Sequence, residues 1–462
     1  MKKLRIAQSQ VKFLDPEFPT DQPDLQTLLS LVYEPLLQWK NGCAAPALIS
    51  KWQVSDSGHS WLLTLRENTY FHDGSPCTVE NIVQSIERHK HSDGPFGMGG
   101  VYTPYLEDLI IEPYNKTQVT VTNPRSTGDL VDIFTAIYVS KYIDDEQPPI
   151  GTGAYMVEDY VEGKFIKLSI SSNKSYKNKY LSLEIFETPD PKDRYDSLLA
   201  GQVDLATSLE LLHEIPTNDN LVWQSSTNTL SVPCFLNGFE DPFCQPKARL
   251  AINLAIDVDS IIHDVWHDLA SPATTVVSPY HFGYPDHLNP HAYDPNRATE
   301  LLGDCSMPDQ LILKTPLVIP ERAQQVSNLI QQQLLRIGVN IIVDVEEDRP
   351  KYARDVSNNK IGHMAMFDSS PLSTYRVLQE KISGETQGTW WQGVKDNMAD
   401  QLIKTAHQTL DVRERTKAYN SCLAWLHDNP HWLYLYHPKK LYAYHPEIEG
   451  VYLDHAGLVR IE

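Results

Sequence analysis

The segment from Trp61 to Arg88 leaves the backbone few alternatives, because three local signals follow one another without a gap. Trp61-Leu62-Leu63-Thr64-Leu65-Arg66 has the composition of a strand, and His72-Asp73-Gly74 supplies the Asp-Gly chemistry that reverses a chain. Thr78 then stands where a helix N-cap belongs, with Ile82, Val83 and Ile86 on one helical face. Upstream, Val32 to Trp39 reads as a helix end running into a short hairpin.

The rest of the chain follows the same logic. Leu4 to Ala7 predicts a first strand, and a helix starts near Asp24 with Leu25, Leu28, Leu29 and Val32 on its apolar side. Phe165 to Ile170 alternates like a strand packed on one face, and Asp190 to Ala200 predicts a helix ended by Gly201. Past Leu230-Ser231-Val232, longer helices alternate with short strands. Pro320 opens a helix, Gly338 closes it, and Val339 to Val343 is the strand after it, which is the alternation of an α/β lobe. Helices fill Asp396 to Asp428, and Trp432 to Tyr436 reads as a buried strand. At 462 residues the chain exceeds what one core serves, so two or three domains are expected.

A formal charge of −21 excludes nucleic-acid binding, which needs clustered Lys and Arg, and is read as a solubility feature. No apolar run approaches the ~20 residues that span a bilayer. Met1-Lys2-Lys3 has the charge of a signal n-region, but Leu4 to Gln8 is a strand rather than an apolar h-region. That leaves a removed signal or a cytoplasmic chain as open readings. Cys43, Cys77, Cys234, Cys244, Cys305 and Cys422 are scattered without a CxxC pair. Cys234 and Cys244 flank the bend at LNGFEDP and could pair, although buried free thiols are preferred. His263 and His267 imitate a zincin HExxH in spacing, with Asp264 where the general base would be Glu; a structural or surface role is preferred to a metal site. No nucleophile elbow, P-loop or dinucleotide fingerprint occurs in strand-turn-helix context, and Gly97-Met98-Gly99-Gly100 has no Lys-Ser/Thr after it. No catalytic candidate survives among these residues, so no enzyme activity and no cofactor is expected.

Several patterns recur in one order along nearly the whole chain: Pro149-Ile150-Gly151-Thr152-Gly153-Ala154-Tyr155, Asn173 to Tyr176, Ser197 to Leu205, RLAINLAIDVDSII from Arg249 to Ile262, Tyr293-Asp294-Pro295 with Ala298 and Leu301-Leu302, and Ile330 to Val345. Together with Val32 to Arg88 they resemble the bacterial extracellular solute-binding proteins of family 5, the peptide- and nickel-type receptors of ABC importers similar to oligopeptide- and dipeptide-binding proteins. The resemblance implies an α/β, two-lobed periplasmic-binding-protein fold (type II, cluster C). It places residues 1–36, 152–230 and 435–462 in a discontinuous first lobe, 37–151 in an extra α+β domain attached to it, and 231–434 in the second lobe. It implies a monomer working with membrane permease subunits outside the cytoplasm.

It also implies where a small-molecule or peptide-like ligand is held. The loop after the first strand brings Phe13 and Phe18, and the extra domain brings Tyr102. The second-lobe loop from Met366 to Tyr375 brings Asp368, Ser369, Ser370 and Tyr375, with Trp390 and Trp391 in the loop that follows. Adjacent tryptophans suit a ligand cleft, and one of them can equally be core. Peptide-binding members carry an Asp-Pro for the peptide ammonium where this chain has Ser373-Thr374, leaving Asp368 as the nearby carboxylate for an ammonium, another cation or a hydroxyl. The arginine of nickel-chelate binders is absent from Phe134 to Tyr138. A ligand-sensing module of the same fold and a zinc hydrolase at His263 and His267 are the two alternative readings.

Overall fold

The computed structural model describes residues 2–13, 15–17, 22–40, 42–92, 102–143, 148–172, 178–216, 220–227, 229–385, 390–391 and 393–462. Phe18, the glycine run 94–100 and the segment 173–176 lie outside the described residues. The chain divides into two units, one made of Met1–Ser226 and Lys440–Glu462, the other of Thr227–Lys439.

In the first unit, strand Lys3–Gln8 runs parallel to Ser182–Glu187, with Ile6 beside Ile185, and parallel to Leu205–Ala206 on its other side. Phe165–Ile170 and Tyr155–Val161 extend this sheet antiparallel. Leu4, Ile6, Leu28, Leu29, Val32, Tyr155, Leu168 and Ile185 are buried in its core. The helix beneath it, Pro23–Val32, presents Leu25, Leu28, Leu29 and Val32 inward, as the 3.6-residue spacing requires.

A separate four-stranded antiparallel sheet in the same unit has the order Ile49–Val54, Ser60–Leu65, Gln118–Thr122, Ile110–Asn115. Ser60–Leu65 alternates buried and half-buried residues along its length. The turn at Phe71 to Ser75 closes with Gly74 N donating to the Phe71 carbonyl, and Gly74 sits at φ +81°, where a residue without Cβ is at ease. Helix Val79–Lys90 follows, its first turn satisfied by Asn81 Oδ1 accepting from the Thr78 backbone N–H at 3.0 Å.

The Gly-Thr-Gly turn has a packing reason. A Cβ at Gly151 would lie 2.0 Å from the Val32 carbonyl oxygen, and one at Gly153 would lie 2.5 Å from it. Gly153 N donates to that same carbonyl, at the end of helix Pro23–Val32, and His72 N donates to the Gly151 carbonyl. The turn thus locks the first helix to the Asp-Gly reversal. Gly151→Ala forces backbone against backbone, which side-chain rotation cannot relieve. It is expected to destabilise the chain by about 3 kcal/mol, the upper range for overpacking, read as a lower urea midpoint at unchanged m-value.

In the second unit, Val232–Leu236 pairs antiparallel with Met364–Met366 and with the start of Trp432–Tyr444. Met364–Met366 runs parallel to Leu311–Pro316, which runs parallel to Ile341–Glu346. Helices Asn397–Gln408 and Val412–Asp428 lay Ile403, Ala406, Tyr419, Leu423 and Leu426 onto a core that includes Phe235, Phe367 and Trp432. Trp432–Tyr444 passes from this unit into the first, where Tyr444 and Ala443 pair with Leu205 and Ala206.

Three sequence expectations shift. The helix expected from Pro320 begins at Ala323, because Arg322 at φ +59° holds the preceding residues in a turn. Helix Val258–Trp266 ends before His267, which caps it at φ +50°, so the left-handed backbone takes His267 out of the face it would share with His263. His263 is largely exposed and faces Asp268 at 3.5 Å, and no group of three or more metal-ligating side chains occurs among the described residues. No disulfide joins the cysteines among the described residues; Cys234 is buried in its strand, whereas Cys244 is exposed in the turn after cis Pro242. No helix among the described residues is long and apolar enough to cross a membrane.

Candidate functional site

The second-unit loop expected to hold ligand starts at the end of strand Met364–Met366, where a short β-bridge ties it down. Ser369 N donates to the Ser231 carbonyl at 2.8 Å and Ser231 N returns a bond to Ser369 at 2.9 Å. Phe367 is thereby fixed among aromatic rings: Phe235 stacks at 5.4 Å, Tyr352 at 6.3 Å, and Trp390 tilts against it at 4.9 Å. Burial drives the Tyr352 hydroxyl well above its ordinary value, and that hydroxyl donates to the Met366 carbonyl at 2.5 Å. The same loop ends in helix Thr374–Lys381, where Thr374 Oγ1 donates to the Phe282 carbonyl at 2.7 Å.

Charge collects around this ring cluster. Arg349 places its guanidinium 5.2 Å from the Phe367 ring, and Lys381 places its ammonium 6.0 Å from it, within cation–π reach. Asp368 faces Arg349, with Oδ1 3.8 Å from Nη2, an ion pair too long to be a hydrogen bond. Lys381 Nζ donates to the Asp368 backbone carbonyl at 3.1 Å. Among the described residues, Arg349 Nε and Nη1, Asp368 Oδ1 and Ser369 Oγ are buried atoms with no hydrogen-bond partner. Both charged side chains stay about one-fifth open to solvent, 18% for Arg349 and 22% for Asp368.

The structure therefore brings Asp368, Ser369 and Trp390 together, next to Phe367. Trp391 is buried, meets Phe239 edge-on at 5.5 Å, and leaves its Nε1 without a partner among the described residues. Tyr375 lies against His407, its ring edge-on at 4.5 Å, and Ser370 is half-buried. In the first unit, Phe13 stacks on Tyr33 at 5.8 Å, and its backbone N–H donates to Tyr160 Oη at 2.9 Å. Beside it, Asp15 accepts from the Tyr142 hydroxyl at 2.5 Å, Glu17 pairs with Arg88, and burial raises the Glu17 carboxyl. Tyr102 is buried where the short helix Thr103–Leu106 begins.

Sequence reasoning missed Arg349, Tyr352 and Lys381. One signal pointed to Arg349: it opens helix Arg349–Ser357 directly after the N-cap Asp348, where the helix dipole favours acids over cations.

An aromatic cluster rimmed by a few aimed polar groups, on a mixed α/β scaffold, is the arrangement of a small-molecule receptor. The fold is that of the type II periplasmic binding proteins. HbpA2 from Haemophilus parasuis superposes with a TM-score of 0.84 at 17% identity, covering all of both chains. The ABC transporter-associated periplasmic binding protein DppA from Helicobacter pylori, in complex with the peptide STSA, gives 0.78 at 20% identity over 100% of this chain and 98% of that one. The family model described as bacterial extracellular solute-binding proteins, family 5 Middle, matches residues 44–374, and the chain belongs to that family. Among curated relatives, the dipeptide-binding protein of Escherichia coli K12 is 22% identical over 92% of this chain and 87% of its own length. Relatives of this chain are substrate-binding proteins, not enzymes. Members of the family bind peptides or small ligands, work with ABC permeases and are periplasmic or extracytoplasmic.

Proposed function

We propose that this chain is the solute receptor of an ABC importer and captures a small, polar, peptide-like molecule. The observation that carries the reading is the ring cluster of Phe235, Tyr352, Phe367 and Trp390 with the Arg349–Asp368 pair at its rim. Aromatic faces supply contact area, and the charged rim supplies orientation. Of the two tryptophans, the half-buried Trp390 is assigned to ligand and Trp391 to packing on Phe239. Asp368, Ser369, Ser370 and Tyr375 belong to the same loop, and Phe13, Phe18 and Tyr102 are the first-lobe contribution. In this reading residues 37–151 are a domain added to a lobe of 1–36, 152–230 and 435–462, residues 231–434 are the second lobe, and ligand selects a closed state by its higher affinity for it. The protein acts as a monomer.

Native mass spectrometry of freshly purified protein is expected to show a retained solute. Adding that solute at a hundredfold excess over Kd should stabilise the fold by about 2.7 kcal/mol. Trp390→Ala should weaken binding at least tenfold without lowering the melting temperature of the free protein by more than a few degrees. If neither a retained molecule nor any peptide, opine, sugar or metal chelate raises the melting temperature, the receptor reading fails.

A further inference from the structure

We infer that Arg349 sets the specificity of the second-unit box, and that the group the box receives from its ligand is a carboxylate. The inference rests on the receptor reading and names the chemistry of that site.

Asp368 is the residue that sequence alone offers to a ligand's ammonium, but its surroundings argue otherwise. Two cations, Arg349 and Lys381, flank the Phe367 ring, and Asp368 is the carboxylate that faces Arg349. Other acids of the surrounding elements have partners of their own: Glu380 pairs with Arg376 at 2.8 Å, Asp355 with Lys351 at 3.3 Å and Lys314 at 3.9 Å, and Glu346 with Lys351, while Asp344 acts through space on the Tyr352 hydroxyl. An ammonium entering here would meet two positive charges, with Asp368 Oδ1, itself without a hydrogen-bond partner among the described residues, as the acceptor against them. A carboxylate would meet the opposite: a guanidinium with Asp368 Oδ1 3.8 Å from Nη2, and with Nε and Nη1 buried and without a hydrogen-bond partner among the described residues. Buried donors without acceptors are rare enough in native proteins to require an explanation. Ligand carboxylate oxygens are the acceptors that charge-assisted bonding from a guanidinium favours. Ser369 Oγ, also buried without a partner among the described residues, supplies a further donor. Asp368 is thus the counter-charge that faces Arg349, and Arg349 is the residue that touches ligand.

Three probes of matched shape separate the possibilities: 3-phenylpropionate, 3-phenylpropanamide and 3-phenylpropylamine, each carrying a ring for the aromatic cluster. Binding to the full chain, freed of retained solute, is read by tryptophan fluorescence and by isothermal titration. The acid is expected to bind at least tenfold more tightly than the amide, with the amine weakest. Arg349→Met should bring the acid down to the level of the amide with unchanged circular dichroism, and Arg349→Lys should keep part of the preference. Tightest binding by the amine, an acid preference that survives Arg349→Met, or no binding of any probe would each overturn the inference. Those results leave the receptor reading standing, because it falls on the retained-solute and melting measurements instead.

Discussion

Arg194→Ala is expected to destabilise the first unit by about 4–5 kcal/mol, close to the whole stability of many domains. Arg194 is fully buried in helix Pro191–Leu199. Its Nε donates to the Thr207 carbonyl at 2.8 Å, Nη1 to Thr188 at 2.6 Å and Pro189 at 2.8 Å, and Nη2 to Ser208 at 2.8 Å. These carbonyls lie just past strands Ser182–Glu187 and Leu205–Ala206, which flank the central strand Lys3–Gln8 on its two sides. One guanidinium therefore ties together the strand ends on either side of the sheet's middle. Burial lowers its pKa, and the carboxylates of Asp24, Glu210 and Asp190 act on it through space in the opposite sense. Removing it leaves four acceptors short of a donor, each worth roughly 1–3 kcal/mol when buried, with only part of that sum realised because some relax toward water. Arg194→Lys keeps the charge but reaches fewer carbonyls, so it should recover less than half of the loss. Urea unfolding followed by far-UV circular dichroism is the check; a loss below about 1 kcal/mol for Arg194→Ala would show that the carbonyls find other donors.

Much of this architecture was legible because local chemistry and global packing agree. The Asp-Gly turn, the Gly201 helix stop at φ +66° and the acidic N-caps Asp190 and Asp396 each had one reasonable local conformation. The Gly-Thr-Gly motif was visible as a pattern, but its cause, the Val32 carbonyl against Gly151, joins residues more than a hundred positions apart. Arg194 was hidden for the same reason, since nothing in PKDRYDSLL distinguishes a buried arginine from a solvated one. The site shows the same division. Asp368 and Trp390 stood out by residue type in a loop, whereas Arg349 reaches Asp368 from a helix whose start lies nineteen residues earlier. Helix periodicity misplaced His267 because a left-handed residue ends the face, a conformation that its side chain does not announce.

Lowering the pH from 7.5 to 5 is expected to destabilise the second unit far more than the first. Burial, the dominant cause in each case, pushes His281, His291 and His437 down to about 4 and His407 to about 3. His431 is also lowered by burial, with the Asp396 hydrogen bond opposing. In the first unit burial takes only His89 to about 4, and lowers His72. Each ring titrates near 6.5 once unfolded, so below that pH the unfolded chain binds protons that the folded chain refuses. Stability is therefore complete above about pH 6.5 and is lost as pH falls toward the folded values near 4. Each ring contributes a slope of about 1.4 kcal/mol per pH unit, and four such rings in one unit give on the order of 5 kcal/mol per pH unit within that window. Asp73, held at about 2 although burial works against it, titrates below the window, and Glu17 is a single group shifted the other way. Trp266, Trp390, Trp391, Trp425 and Trp432 lie in the second unit and Trp39, Trp52, Trp61 and Trp223 in the first, so fluorescence-detected urea midpoints at pH 7.5, 6.5 and 5.5 report on both, and replacing the four first-unit tryptophans by Phe leaves the second unit's signal. His407 isolates one share: its Nε2 is buried without a partner among the described residues, so His407→Phe removes a proton acceptor while breaking no hydrogen bond there. That variant should flatten the slope by about 1.4 kcal/mol per pH unit. Midpoints that stay level from pH 7.5 to 5.5 would mean that these rings take up protons inside the folded chain.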